Sequence, residues 1–259
     1  MPFLQGSNGS IRYELSGPER APALLFSNSL GTDLAMWDPQ ASALVQEFRV
    51  VRYDTRGHGQ SDVTAGPYTI NQLADDVIEL LDFLRLRQVY FCGLSMGGMI
   101  GMTLALRAAN RLHKIVLCST APKIGAAETW NTRIETVRKG GMAAVVDGVL
   151  QRWYTADFRS SSLQAIESTK QTLLHTPVEG YVACCAAVRD ADLREAISGI
   201  RVPTLIITGA RDPVTTPADG HFMEGQIPRA QYRELPAAHL SNIEAAAAFT
   251  GELCAFLNA

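Results

Sequence analysis

Gly93-Leu94-Ser95-Met96-Gly97 is a G-x-S-x-G pentapeptide, and its two neighbours decide the fold. Directly before it runs Val89-Tyr90-Phe91-Cys92, apolar and strand-like; behind it runs Met99 to Leu106, apolar and helix-like. A strand that turns sharply into a helix strains the serine between them and pushes its oxygen outward. Glycines two residues before and after leave room for strand and helix to cross. Taken alone, the pentapeptide also reads as a small-residue helix start. The strand in front and the helix behind favour a nucleophile elbow.

Outward from the elbow, short apolar runs alternate with longer helical patterns. Ile11 to Leu15 alternates and reads as an edge strand; Ala23 to Phe26 and Val50 to Tyr53 read as buried strands. Ile115 to Cys118 and Leu205 to Ile207 continue the series after the elbow. Continuous apolar runs suit parallel strands covered on both faces. Ile70 to Leu84 repeats Leu73, Val77, Leu80, Leu81 and Leu84 at helical spacing, with Asn71, Asp75 and Asp76 early enough to suit the helix dipole. Strand–helix alternation predicts an α/β fold with a mostly parallel, doubly wound sheet. The alternation stops between Pro122 and Asp190, where four helical pieces (128–138, 142–154, 160–174 and 178–188) follow one another without a strand. A connection this long is usually functional. We read residues 122–190 as a helical lid inserted into a core formed by 1–121 and 191–259.

Bulk properties narrow the partners. The 259 residues carry a net charge of -3, so no basic field draws nucleic acid or an anionic membrane, and an anionic ligand needs a local cation. No stretch approaches the roughly 20 apolar residues of a membrane span, and the first residues do not read as a signal peptide. Five scattered cysteines lack zinc-ligand spacing and read as free thiols of a reducing compartment, so the expected location is the cytoplasm.

A serine needs a base, and the base an orienting acid; behind this type of elbow the chain order is serine, acid, histidine. His239 sits in a loop before a last helical pattern, Ser241 to Phe256, and is the expected base. His221, near a helix start, reads as a surface residue. Asp212, just past the strand Leu205 to Ile207, is the expected acid; it also reads as a helix-capping aspartate before Pro213, with Asp219 a weaker rival. The oxyanion that serine attack creates should meet the N–H of Met96, opening the helix after the elbow, and that of Leu30, in the loop Ser27-Asn28-Ser29-Leu30-Gly31. The turn Asp54-Thr55-Arg56-Gly57-His58-Gly59-Gln60-Ser61 reads as rigid and internally hydrogen-bonded, with His58 a turn residue rather than a catalyst.

The elbow, the Asp54 to Ser61 turn, Gly209-Ala210-Arg211-Asp212 and His239 together resemble the α/β-hydrolase superfamily over nearly the whole chain. Within it, Phe26 to Asp33 with Trp37, and Trp130-Asn131-Thr132-Arg133, look similar to the 3-oxoadipate enol-lactonases, whereas most α/β hydrolases carry His-Gly where Asn28-Ser29 stand here. That resemblance implies hydrolysis of a small anionic lactone in bacterial aromatic catabolism, through an acyl-Ser95 intermediate and without a metal or organic cofactor. A carboxylate-bearing substrate implies a cation in the lid. Arg133 and Arg138 are the candidates, with Arg133 favoured beside Trp130 and with Trp153 as a second wall; the competing reading leaves both arginines solvated. A general carboxylesterase or perhydrolase, an acyltransferase, and a ligand receptor that keeps the triad remain alternatives.

Overall fold

The computed structural model describes residues 2–7 and 9–259. Eight strands form one sheet: β1 (Phe3–Gly6), β2 (Gly9–Ser16), β3 (Ala23–Ser27), β4 (Arg49–Tyr53), β5 (Val89–Leu94), β6 (Leu112–Cys118), β7 (Thr204–Gly209) and β8 (Gln231–Leu235). Their order is β1-β2-β4-β3-β5-β6-β7-β8. The β1–β2 and β2–β4 pairs are antiparallel, and every pair from β4 to β8 is parallel. The helices are α1 (Asp38–Leu44), α2 (Ile70–Phe83), α3 (Met96–Arg107), α4 (Ala127–Gly140), α5 (Val146–Trp153), α6 (Ala156–Ser161), α7 (Leu163–His175), α8 (Val178–Asp190), α9 (Pro217–Gln226), α10 (Ser241–Glu244) and α11 (Ala246–Asn258). Strand–helix alternation thus yields the expected α/β architecture, and α4 to α8 fill the interval between β6 and β7 without a strand.

The central strands are apolar because both faces are covered. Every residue of β3 and β7 is buried, as is Met96 to Ala105 of α3, which packs against β3, β5 and β6. Six parallel strands running the same way deliver their following loops to one edge of the sheet. Those loops begin at Asn28, Asp54, Ser95, Ser119, Ala210 and Pro236.

Five details depart from the sequence reading. Ile11 to Leu15 is not at the edge: β1 lies outside β2, and only Leu4 of its four residues is buried, too little apolar pattern to register as a strand. Strand β8 leaves no apolar pattern in the sequence because it is an exposed, polar edge, with Leu235 its one buried residue. In α2 neither Asp75 nor Asp76 is in the first turn; Thr69 and Gln72 form the cap reciprocally, and Asp76 is buried against Arg56. The stretch 241–256 is two helices, broken at Ala245, and 142–154 is a 3₁₀ turn followed by α5. All five cysteines are free; Cys92 and Cys118, on neighbouring strands, have sulfurs 3.7 Å apart.

A close backbone passage ties α8 to the turn after β4. Gly180 of α8 lies against Gly57 so closely that a Cβ on Gly180 would stand 2.1 Å from the Gly57 carbonyl oxygen. Tyr68 N–H donates to Ala183 C=O at 3.2 Å beside it, and Cys184 Sγ lies 3.6 Å from Arg56 C=O. No helix among the described residues is long and apolar enough to cross a membrane.

Candidate active site

Ser95 takes φ 57°, ψ -114°, a conformation that costs a non-glycine residue about 1–3 kcal/mol. Its own peptide groups hold it there: Ser95 N–H donates to Cys118 C=O at 2.9 Å, and Ser95 C=O accepts from Thr120 Oγ1 at 2.7 Å and from Gly98 N–H at 2.9 Å. Glycine is required on both sides for space. A Cβ on Gly93 would lie 2.2 Å from Gly97 C=O, and one on Gly97 would lie 2.3 Å from Ser27 C=O.

His239 follows β8 and is buried. Its loop is fixed by two main-chain donors: Ala238 N–H to the Glu244 carboxylate at 2.9 Å and Leu240 N–H to Trp153 C=O at 3.1 Å. The ring Nδ1 donates to Asp212 Oδ2 at 2.7 Å, which leaves Nε2 with its lone pair free to take a proton. Asp212 makes both sets of contacts that the two sequence readings imply. One oxygen accepts from Val214 N–H (2.7 Å) and Thr215 N–H (3.2 Å), shaping the turn; the other holds His239 and accepts from Thr215 Oγ1 at 2.8 Å. Burial pushes this carboxyl up, but electrostatic attraction to the His239 ring and its N–H, with the Val214 and Thr215 donors, outweigh burial and hold it below its ordinary value. Asp219 instead caps α9 with Thr216, and His221 is exposed beside Glu224.

Ser95, Met96, Leu30 and His239 line one cavity of about 220 Å³. Among the described residues, Ser95 Oγ makes no hydrogen bond to His239, and neither Leu30 N–H nor Met96 N–H donates to a protein acceptor. The facing side of the cavity belongs to Trp130, Arg133, Arg152, Trp153 and Tyr181. Trp153 stacks over the His239 ring with centroids 6.3 Å apart. The Arg133 guanidinium lies 5.5 Å from the Trp130 ring centroid and donates to Tyr181 Oη at 3.3 Å. Arg138 is elsewhere, exposed on a groove of about 580 Å³ with Glu179 and Arg189, because it points to the outer face of α4.

Arg152 escaped the sequence reading. Its signal was adjacency to Trp153 at the end of a predicted helix, visible only once that helix is known to face the elbow. Burial and the charge of Arg133 both lower its pKa. Among the described residues neither Arg133 nor Arg152 has a carboxylate partner. Two like charges converge there on an apolar cavity that also contains a strained serine and two free main-chain donors. Such a chamber can add a hydroxyl to a carbonyl, stabilise the resulting oxyanion and neutralise a carboxylate on the same guest.

Comparison with known proteins gives a consistent result. The family model described as serine aminopeptidase, S33 matches residues 19–239. 3-Oxoadipate enol-lactonase 1 of Acinetobacter baylyi is 44% identical over 235 residues, covering 91% of this chain and 88% of the relative. Its 3-oxoadipate enol-lactonase 2 is 42% identical, covering 95% of this chain and 92% of the relative. The crystal structure of the enol-lactonase from Burkholderia xenovorans LB400 superposes with a TM-score of 0.98 at 45% identity, over the full length of both chains.

Proposed function

The chain belongs to the α/β-hydrolase family described as serine aminopeptidase, S33, and from that membership and its enol-lactonase relatives we propose that it hydrolyses 3-oxoadipate enol-lactone to 3-oxoadipate. The observation that carries this reading is the pair of arginines without carboxylate partners in the cavity that Ser95 and His239 share. A simple esterase site has no use for two guanidinium groups there, whereas a lactone bearing a carboxylate does.

In this mechanism His239 Nε2 removes the Ser95 proton as Oγ adds to the lactone carbonyl. Asp212 holds the ring's orientation and stabilises the imidazolium that forms. Leu30 N–H and Met96 N–H receive the oxyanion; Met96 opens α3, so the helix dipole adds to its hydrogen bond. Collapse of the tetrahedral adduct breaks the ring C–O bond. The leaving oxygen is that of an enol, a good leaving group; it takes the proton that His239 Nε2 carries, which returns the imidazole to its neutral form, and the enol then tautomerises to a ketone, drawing the reaction forward. Water, deprotonated by His239, attacks the acyl-Ser95 ester and releases the second carboxylate. Arg133 and Arg152 hold the carboxylate that the substrate carries from the start, Trp130 and Trp153 wall the ring, and helices 122–190 act as the lid that excludes bulk water.

The test is a steady-state assay of freshly generated 3-oxoadipate enol-lactone beside neutral p-nitrophenyl acetate. The proposal expects kcat/KM for the lactone to exceed that for the neutral ester by several orders of magnitude. Equal or reversed preference would make the chain a general carboxylesterase on the same residues.

A further inference from the structure

The loop that carries Leu30 is held by a histidine outside the proton-transfer steps described above. His58, in the turn after β4, is fully buried. Its Nε2 accepts a hydrogen bond from Gly31 N–H at 2.9 Å. Only the ring form protonated on Nδ1 can accept there, and Nδ1 lies 3.3 Å from Arg56 C=O, its acceptor. Burial holds the imidazole well below its ordinary value, so it stays neutral near pH 7.

A peptide unit is planar, with N–H and C=O on opposite sides. On the N-terminal side of Leu30, Ser29 C=O accepts from Thr32 N–H (3.2 Å) and Thr32 Oγ1 (2.8 Å). The Leu30 N–H of that same peptide is thereby turned away from Thr32. On the C-terminal side, the Leu30–Gly31 peptide is fixed by His58. Both torsions of Leu30 are therefore set by hydrogen bonds, one clamp from the loop itself and one from His58. Gly31 has φ 83°, a conformation glycine adopts freely, so without the histidine little opposes rotation of that peptide. Leu173 and Tyr181 close over Gly31, which keeps water from replacing the lost acceptor.

We propose that His58 is a positioning residue for the oxyanion hole: by accepting the Gly31 N–H it holds Leu30 N–H aimed into the Ser95 cavity. This rests on the reading of Leu30 as an oxyanion donor. The consequence is specific to the tetrahedral state. Losing the clamp loosens a donor that acts on developing negative charge, and leaves the arginines that bind the substrate carboxylate untouched.

The experiment compares His58→Leu, His58→Gln and His58→Asn in the full-length enzyme, each checked by circular dichroism. Glutamine can place an amide oxygen near the Nε2 position; asparagine is too short. His58→Leu and His58→Asn should lower kcat by roughly 10- to 100-fold with KM within about twofold, and His58→Gln should recover most of the rate. Phenylboronic acid, which forms a tetrahedral adduct with serine, should lose affinity in step with kcat, while adipate, a ground-state dicarboxylate, should bind as in the unaltered enzyme. Unchanged kcat and boronate affinity in His58→Leu would overturn the proposal and leave the reading of the site intact. So would parallel loss of adipate and boronate affinity, or equal losses in the Gln and Asn variants. Should the leucine variant fail to fold, the Gln–Asn comparison decides. Failure of phenylboronic acid to inhibit the unaltered enzyme would instead sink the oxyanion-hole reading itself.

Discussion

Lowering the pH from 7 to 5 should remove about 2 kcal/mol of folding stability through His58 alone. The ring has no route to solvent, and burial takes its pKa from 6.5 to about 4. The unfolded chain therefore binds a proton as pH falls through 6.5, and the native protein does not until pH approaches 4. Between those values the unfolded state holds more protons, so stability falls with falling pH and levels off below about 4. The full span, 6.5 to about 4, corresponds to roughly 3 kcal/mol at 1.36 kcal/mol for each pH unit, and most of the part above pH 5 is felt on moving from pH 7. Urea unfolding at pH 7, 6 and 5 on the unaltered protein and on His58→Gln isolates the effect. Asp54 and Asp76 are also buried near this turn, but both proteins contain them and their contributions cancel in the difference. The difference in unfolding free energy between the two proteins should shrink by about 2 kcal/mol, in the direction that favours glutamine at pH 5. Parallel curves from pH 7 to 5 would refute the picture of a histidine kept neutral by its surroundings.

Four further predictions follow from particular contacts. Ser95→Ala should lower kcat by about 10⁴- to 10⁶-fold without shifting the melting temperature downward, since the alanine carries the same backbone strain and no buried bond is lost; ordinary turnover by this variant would remove Ser95 from the mechanism. Arg133→Ala and Arg152→Ala should each raise KM for the anionic lactone by roughly tenfold or more while leaving p-nitrophenyl acetate hydrolysis within about twofold, because a charge-assisted bond is worth about 1.5–3 kcal/mol; equal effects on both substrates would argue against carboxylate capture. Glu244→Ala frees Ala238 N–H and the Thr155 hydroxyl together, so kcat should fall as the His239 loop loosens, with a sharper loss than His221→Ala, which alters only an exposed ring. Gly180→Ala should destabilise the fold by more than about 2 kcal/mol, read by urea unfolding, since the added carbon meets backbone and no rotamer relieves it.

What the sequence revealed followed from signals that are local and apolar. The elbow announced itself because β5, apart from half-buried Tyr90, and the first ten residues of α3 are buried, so both read as apolar runs on either side of the glycines. Strand β8 gave no such signal, because an exposed edge strand such as Gln231–Leu235 needs hydrogen-bond partners more than apolar side chains. The same limit applies at the site. His239 and Asp212 could be placed by chain order and strand ends, whereas Arg152 could not, since nothing in its immediate neighbours says which face of α5 meets the elbow. Arg138 illustrates the reverse error: it shares α4 with Arg133, and five positions of helix, about 1.4 turns, carry it to a different groove. His58 was recognised as a turn residue, but its bond to Gly31 spans 27 positions of sequence and joins two loops with no shared pattern.

The backbone passage of Gly180 against Gly57 makes the chamber mechanically lopsided. The wall built from α8 is riveted to the same turn that carries His58, so displacing it would disturb Leu30 as well. The rest of that facing side, Trp130 and Trp153, stands on α4 and α5, whose aromatic side chains can be pared back without touching that rivet. Redesign for bulkier ring esters should therefore carve the tryptophan side and treat Tyr181 with its helix as masonry.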